Sequence, residues 1–456
     1  MVYPKTHHLR AVRDQGYIFV KRLFRLSLAR RFFTSLRDEG ARTALRKARN
    51  YTILRLRGFT PSMLAGRGHG RINKDEKYLA GIWQTLARED AFHVTQAPAL
   101  LSNRRKIALI ADLNLPQCRK YRVEQLAEFW RTRDVDVEYA HYTDVPRCTA
   151  VLQEATHLME YRLQTTPVTA MYRYEARRLR LPVLYDLDDP LFSVSAYETY
   201  ENMKAVEPEL KAHFVAEAPK YLEMMNGADI LTVSTPGMAE HTRLLTARPV
   251  HMRRNFADRA TLEGGRRAMA SGRPDDGLFR VCFASGSRGH EVDFALIGDQ
   301  VSEFLSGADN RRLMILGHFD TKLLPEGLRT RVETHGFSTY ERYLATLAQA
   351  DCTVTPLTND IFNRCKSAVR VIDAAAAGVP SVVGTVGDMA NMVTHEKTGF
   401  IADTPQGWLD ALETLAGDTS GTATMGQAAR ADLETRWAGT DAPHIIDPEI
   451  IRWVEG

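Results

Sequence analysis

From Arg105 onward, apolar runs of four to eight residues alternate with segments of helical periodicity. "RKIALIADL" reads as a strand, "YRVEQLAEFWRTRD" as a helix and "VDVEYAHY" as the next strand. "VTAMYRYEARRLR" is predicted helical and runs into the strand "PVLYDLDD"; "AEAPKYLEMMNGADILTVST" gives helix then strand; "PGMAEHTRLLT" and "PVHMRRN" repeat the pair. A stretch rich in Gly and Arg, Gly264 to Gly277, interrupts the pattern as a candidate interdomain hinge before the strand "LFRVCFASG". Further on, Tyr340 to Leu357 gives an amphipathic helix and then a strand ending at Pro356. Ser367 to Ala377 reads as an alanine-rich helix stopped by Gly378, with "SVV" as a buried strand after Pro380. Strict alternation of this kind implies parallel sheets with right-handed crossovers, an α/β class.

Before Arg105 the pattern is different. Phe19, Leu23, Leu26, Phe33 and Leu36 recur at helical spacing in Tyr17 to Leu36, with Lys21, Arg22, Arg25, Arg30 and Arg31 between them, and "EGARTALRKARNYTILRLRGF" reads as a second basic helix. Charge sharpens the contrast. Residues 1–57 hold 15 Lys/Arg against 3 Asp/Glu, a balance of +12, so the rest of the chain balances at −8 within a total of +4. A basic amphipathic helix suits an anionic membrane surface; packing on the body or on a partner is the plainer reading. Nothing in it resembles a nucleic-acid-reading module, so no nucleic acid is expected. Residues 58–75 read as a linker.

A chain of 456 residues that is 44% hydrophobic and 25% charged can bury two cores. No run of 18 apolar residues exists and no apolar h-region marks a signal peptide. The five cysteines are scattered, without a CxxC pair, which argues against a disulfide framework or a zinc site. The expected location is cytoplasmic, with peripheral attachment to the inner face of the plasma membrane through residues 1–57.

Four segments carry a resemblance. They are "QCRKYRVEQLAEFW" (Gln117 to Trp130), "LPVLYDLDDPLF" (Leu181 to Phe192), "VCFASGSRGHEVDF" (Val281 to Phe294) and "KSAVRVIDAAAAGVPSVVG" (Lys366 to Gly384). In this order they resemble GT-B fold glycosyltransferases of the retaining family 4 type, in the capsule, O-antigen and exopolysaccharide branch. The resemblance spans about residues 105–440. It implies two Rossmann-like doubly wound domains facing a cleft, here with a basic helical N-terminal extension. The domains would be an extension and linker (1–75), an acceptor domain (76–262), a nucleotide-sugar donor domain (275–430) and a helical tail (431–456). The implied partners are a nucleotide diphosphate sugar and a glycan or lipid-linked acceptor, with neither cofactor nor metal.

The candidate site follows from residue type and position. On one continuous helix Lys366, Arg370 and Asp373 would share a face, with Lys366 and Asp373 about 10 Å apart along the axis. A lysine and a helix N-terminus suit a diphosphate; a carboxylate suits ribose hydroxyls. The plainer reading is a solvated face with an Arg370–Asp373 ion pair. Ser285, Gly286, Ser287, Arg288 and His290 form a loop that the resemblance implies cradles the diphosphate, with Asn363 and Ser367 beside it. Asp188 and Asp189 are candidates for orienting the acceptor hydroxyl, against a capping role before Pro190. Asp186 and Asp188 also spell a DxD, the metal-binding motif of GT-A enzymes. Arg119 and Arg122 are placed to reach an acceptor or donor phosphate, or else lie solvated at a helix start. The family's Glu pair is replaced by Cys365 and Asp373. A catalytically weak scaffold, acting as a subunit or binding partner, therefore stays open; a sugar-nucleotide epimerase would want additional acid/base residues, and the sequence shows no characteristic set.

Overall fold

Strands covered by helices on both faces are apolar on both sides, and most strands of this protein meet that rule. In the computed structural model, which describes residues 40–56, 104–286, 289–439 and 442–456 together with 29, 32, 33, 36 and 37, twelve strands form two sheets. The first sheet contains β1 (Lys106–Ala111), β2 (Asp136–His141), β3 (His157–Tyr161), β4 (Val183–Leu187), β5 (Ile230–Val233) and β6 (Val250–Met252), in the order β2-β1-β3-β4-β5-β6. The second contains β7 (Phe279–Ser285), β8 (Arg311–Gly317), β9 (Val332–His335), β10 (Cys352–Thr355), β11 (Ser381–Val383) and β12 (Gly399–Ile401), in the order β12-β11-β10-β7-β8-β9. Every pairing is parallel. β3, β4, β5 and β10 bury every side chain. The expected pair of doubly wound lobes is therefore present.

The helices obey local rules. Thr166, Thr235, Asp258 and Thr404 each accept a bond from the backbone N–H three residues on, and Pro follows at the first helical position in three of these four. Gly378 adopts φ +68° and stops the helix Val369–Ala376, as its residue type requires. One local expectation fails. The stretch from Gly264 is not a gap at its start, because Arg259–Ala270 is a helix. A Cβ on Gly265 would meet the Ala376 carbonyl oxygen at 2.0 Å, so this glycine permits a close helix approach rather than a break.

The lobes share apolar cores. Ile107 and Leu109 of β1 belong to one cluster with Val371 and Ile372 of the second lobe, and the C-terminal helix Pro448–Glu455 adds Ile450 and Val454 to it. Phe362 of the second lobe enters the first lobe's core, stacked on Tyr200 at 4.2 Å between centroids.

The chain divides into two units, Met1–His69 and Gly70–Gly456. In the first, Ala41–Leu56 is helical without an acidic residue in its first turn, as the second basic helix was expected to be. Most of Tyr17 to Leu36, and the whole linker 58–75, lie outside the described residues.

Candidate functional site

In each sheet the strand order reverses beside a central strand: β1 lies between β2 and β3, and β7 between β8 and β10. Ligand crevices form at the carboxyl ends of strands at such points. Arg162 follows β3 there, Asp188 and Asp189 follow β4, Gly286 follows β7 and Thr358 follows β10.

Asp189 joins the lobes. Its carboxylate meets Lys366 Nζ at 3.5 Å and Arg162 Nη1 at 3.3 Å. Burial pushes its pKa up, but the two cations outweigh burial and hold it below the usual carboxylate range. Asp188 accepts from Tyr161 Oη at 2.9 Å and from Arg162 Nη1 at 3.3 Å. Arg162 has φ +55°, an uncommon conformation for an arginine, and it holds both carboxylates.

The loop after β7 leads to Gly289, the N-cap of His290–Ala295. His290 is buried, and burial followed by the nearby Arg370 pushes its pKa down to about 4, leaving a neutral ring. Its Nδ1–H donates to Asp293 Oδ2 at 3.2 Å, so Nε2 can accept from Arg370 Nη2 at 3.3 Å. Among the described residues Arg370 has no carboxylate within ion-pair distance, and its Nη1 is buried without a hydrogen-bond partner. The helix Val369–Ala376 begins beside it with no side-chain cap at Ala368 and no acidic residue in its first turn. Gly286 is exposed, Ser285 is buried at the end of β7, and Ser367 Oγ accepts from Asn255 Nδ2 at 3.1 Å. Ser287 and Arg288 lie outside the described residues.

Lys366, Arg370 and Asp373 do not share one helical face. Ile361–Arg364 is a separate short helix capped by Asp360. The Lys366 backbone N–H returns to the Asn363 carbonyl and its own carbonyl accepts from Asp388, so it precedes the helix that holds the other two. Asp373 faces elsewhere. Its Oδ1 accepts from Tyr121 Oη at 2.5 Å and Tyr340 Oη at 2.7 Å, with Lys120 over both rings at 4.1 and 4.6 Å. Burial pushes the Asp373 carboxyl up, against Lys120 and the two hydroxyls. No Arg370–Asp373 ion pair forms.

Two further expectations change. Arg122 is 0% exposed, so it reaches no external phosphate. It donates to both oxygens of Asp186, to the Arg253 carbonyl and to Asn255 Oδ1, inside a π-helical turn (Arg119–Glu124) that turns its side chain into the core. Asp186 also accepts from Thr232 and Arg253. Its oxygens are thus taken, and it does not converge with Asp188 as a DxD cation site needs. Arg119 remains half-exposed, paired with Glu124 at 2.6 Å. Cys365 is 1% exposed, burial pushing its thiol up to about 12.

Sequence reasoning did not single out Arg162, Asn202, Asp293, Tyr121 or Tyr340. Asp293 and Tyr121 stand inside two of the four quoted segments, which was the available signal. Arg162 and Asn202 carry none.

Residues 282–418 match the family model of glycosyl transferases group 1. Beyond this group 1 segment, solved structures resemble most of the chain. Anabaena HepE, in complex with UDP and glucose, is 17% identical with a TM-score of 0.51, covering 77% of this chain and 99% of its own. WaaG, a glycosyltransferase involved in lipopolysaccharide biosynthesis, is 12% identical with a TM-score of 0.50 over 77% and 100%. A glycosyltransferase from Rickettsia africae is 9% identical with a TM-score of 0.50 over 77% and 98%. Comparison with curated proteins finds no match. The chain has the GT-B fold and carries a group 1 glycosyl transferase segment in its second lobe. No helix of the described residues is long and apolar enough to cross a membrane.

Proposed function

We propose that this chain is a retaining, metal-independent glycosyltransferase that moves a hexose-type sugar from a nucleotide diphosphate sugar to a growing surface or secreted glycan. The observation that carries the reading is Arg370: a partly buried arginine whose Nη1 is buried without a hydrogen-bond partner and which, among the described residues, has no carboxylate within ion-pair distance, beside Lys366 and an uncapped helix N-terminus. A buried unpaired cation is unfavourable unless an anion joins it, and a diphosphate supplies that anion. The group 1 match of residues 282–418 supports the same donor lobe.

In this mechanism the sugar–diphosphate bond breaks while the acceptor hydroxyl attacks from the same face. The leaving diphosphate takes the acceptor proton. Lys366, Arg370 and the first N–H groups of Val369–Ala376 stabilise the charge that develops on it, with Ser285, Gly286, His290 and Ser367 beside them. Asp189, kept ionised by its cations, orients the acceptor hydroxyl by accepting a hydrogen bond, with Asp188 beside it. Asn363 meets the sugar and Arg119 an acceptor phosphate. The basic residues 1–57 hold the enzyme on an anionic inner membrane surface. Truncation of that segment should abolish salt-sensitive sedimentation with anionic vesicles.

A binding subunit is the second reading, favoured by one observation: two tyrosine hydroxyls already occupy Asp373. A nucleotide panel tests the first. UDP, GDP or ADP at 100 times its dissociation constant should stabilise the full chain by roughly 2.7 kcal/mol. Lys366→Ala should weaken that ligand by about 1.5–3 kcal/mol. Turnover of the matching nucleotide sugar should survive EDTA. Unchanged nucleotide affinity in the Lys366 variant would sink the site, and loss in EDTA restored by Mn²⁺ would sink metal independence. Binding without turnover would favour the subunit.

A further inference from the structure

We infer that Asn202, carried by the first lobe, is a specificity-determining residue that accepts a hydrogen bond from a hydroxyl of the transferred sugar. The inference rests on the nucleotide-sugar reading above.

The argument starts at Asp293, which is 0% exposed. Its Oδ2 accepts from Asn202 Nδ2 at 2.6 Å and from His290 Nδ1 at 3.2 Å. Its Oδ1 accepts from Asn363 Nδ2 at 3.1 Å and from the N–H and hydroxyl of Thr358 at 3.0 and 3.2 Å. An ionised carboxylate only accepts. Each asparagine must therefore present its NH₂ to Asp293, which fixes the direction of each amide. The cost falls on the two amide oxygens. Asn202 Oδ1 and Asn363 Oδ1 are both buried and neither has a donor. Asn202 is 2% exposed and Asn363 0%.

Two such orphans on one carboxylate, contributed by opposite lobes, are costly in the empty protein, because each buried acceptor has lost water without gaining a donor. A third orphan, Arg370 Nη1, joins the same group through His290. Two acceptors and one cationic donor ask for a ligand that carries O–H groups next to negative charge. A sugar on a diphosphate has that chemistry. Asn202 sits in the turn Glu201–Ala205, whose Glu201 N–H also bonds Asp360 of the second lobe at 3.3 Å. The first lobe thereby places one acceptor against the donor lobe. A site built to accept from a hydroxyl rejects a sugar that lacks it.

The test uses the full chain and calorimetry with UDP and UDP-glucose, or the ADP or GDP pair if that base binds. Asn202→Leu should weaken the nucleotide sugar by about 3- to 10-fold and leave the nucleotide diphosphate within about two-fold. Among deoxy-sugar analogues, one should bind Asn202→Leu as well as the parent sugar does. If Asn202→Leu fails to fold, Asn202→Ser is read in the same way. Equal loss for both ligands would make Asn202 a lobe contact only, and no loss for either would also overturn the proposal. A wild-type chain that binds no nucleotide diphosphate would overturn the reading beneath it as well.

Discussion

Two arginine sites, one in each lobe, are treated in opposite ways. In the first lobe Arg122 and Arg253 converge on Asp186, Thr232 adds a hydroxyl, and Arg173 pairs with Glu160 at 2.6 Å. Burial, and then repulsion from Arg122, push Arg253 down to about 10, yet both guanidiniums stay anchored on the same carboxylate. In the second lobe Arg370 touches a neutral histidine and keeps Nη1 unpaired. The difference separates a charge used to hold a fold from a charge held ready for a ligand. The first lobe's arginines lie on carboxylates, although Arg253 Nε and Glu160 Oε1 are left without partners; a guanidinium with no carboxylate beside it raises the free energy of the empty protein and lowers that of a complex with an anion.

The largest effect should come from breaking the carboxylate-paired side. Arg122→Met leaves Asp186 short of its main partner and should cost about 3–5 kcal/mol in urea unfolding. A cost below about 1 kcal/mol would mean that the network does not hold the lobe. On the other side, Arg370→Met should change stability by less than about 1 kcal/mol while weakening nucleotide diphosphate binding about 10- to 100-fold by calorimetry. The reverse pattern, unfolding without loss of affinity in what remains folded, would erase the contrast.

A smaller effect comes from one histidine in each lobe. Burial pushes both His157 and His290 down to about 4. The unfolded side chains titrate near 6.5. Their contribution to stability is therefore complete above about pH 6.5 and is lost as pH falls toward 4, because the unfolded chain takes up the protons first. His157→Phe keeps a ring against Trp453, which lies 4.9 Å from it, and should reduce the acid sensitivity of the urea midpoint between pH 7 and 5 by on the order of 1 kcal/mol. An unaltered pH profile would show that His157 takes up its proton as readily in the fold as in the unfolded chain.

Much of the fold was legible in the chain because buried parallel strands must be apolar on both faces, and runs such as Ile107–Ala111 have no other use. The helix Arg259–Ala270 was not legible. Gly264 and Gly265 mark a break by local propensity, and only contact with Ala376 and Leu344 explains glycine there. The candidate site was half legible. Lys366, His290 and Asp189 came from the motifs; Arg122 came from the same motifs and went to the core, since spacing does not say which way a π-helical turn points its side chains. Asn202 and Arg162 lie far from the four segments in sequence or carry no pattern of their own, and only the packing of lobe on lobe brings them to Asp293 and Asp189.

The sequence by itself determined the two parallel sheets, the stop at Gly378 and the placing of acidic and basic residues at strand ends, because these depend on neighbours a few residues away. Tertiary structure decided which charges are satisfied. Arg122 finds Asp186 across 64 residues, whereas among the described residues Arg370 bonds His290 across 80. That outcome depends on long-range geometry, and pairing decides whether a buried charge costs free energy or holds a core.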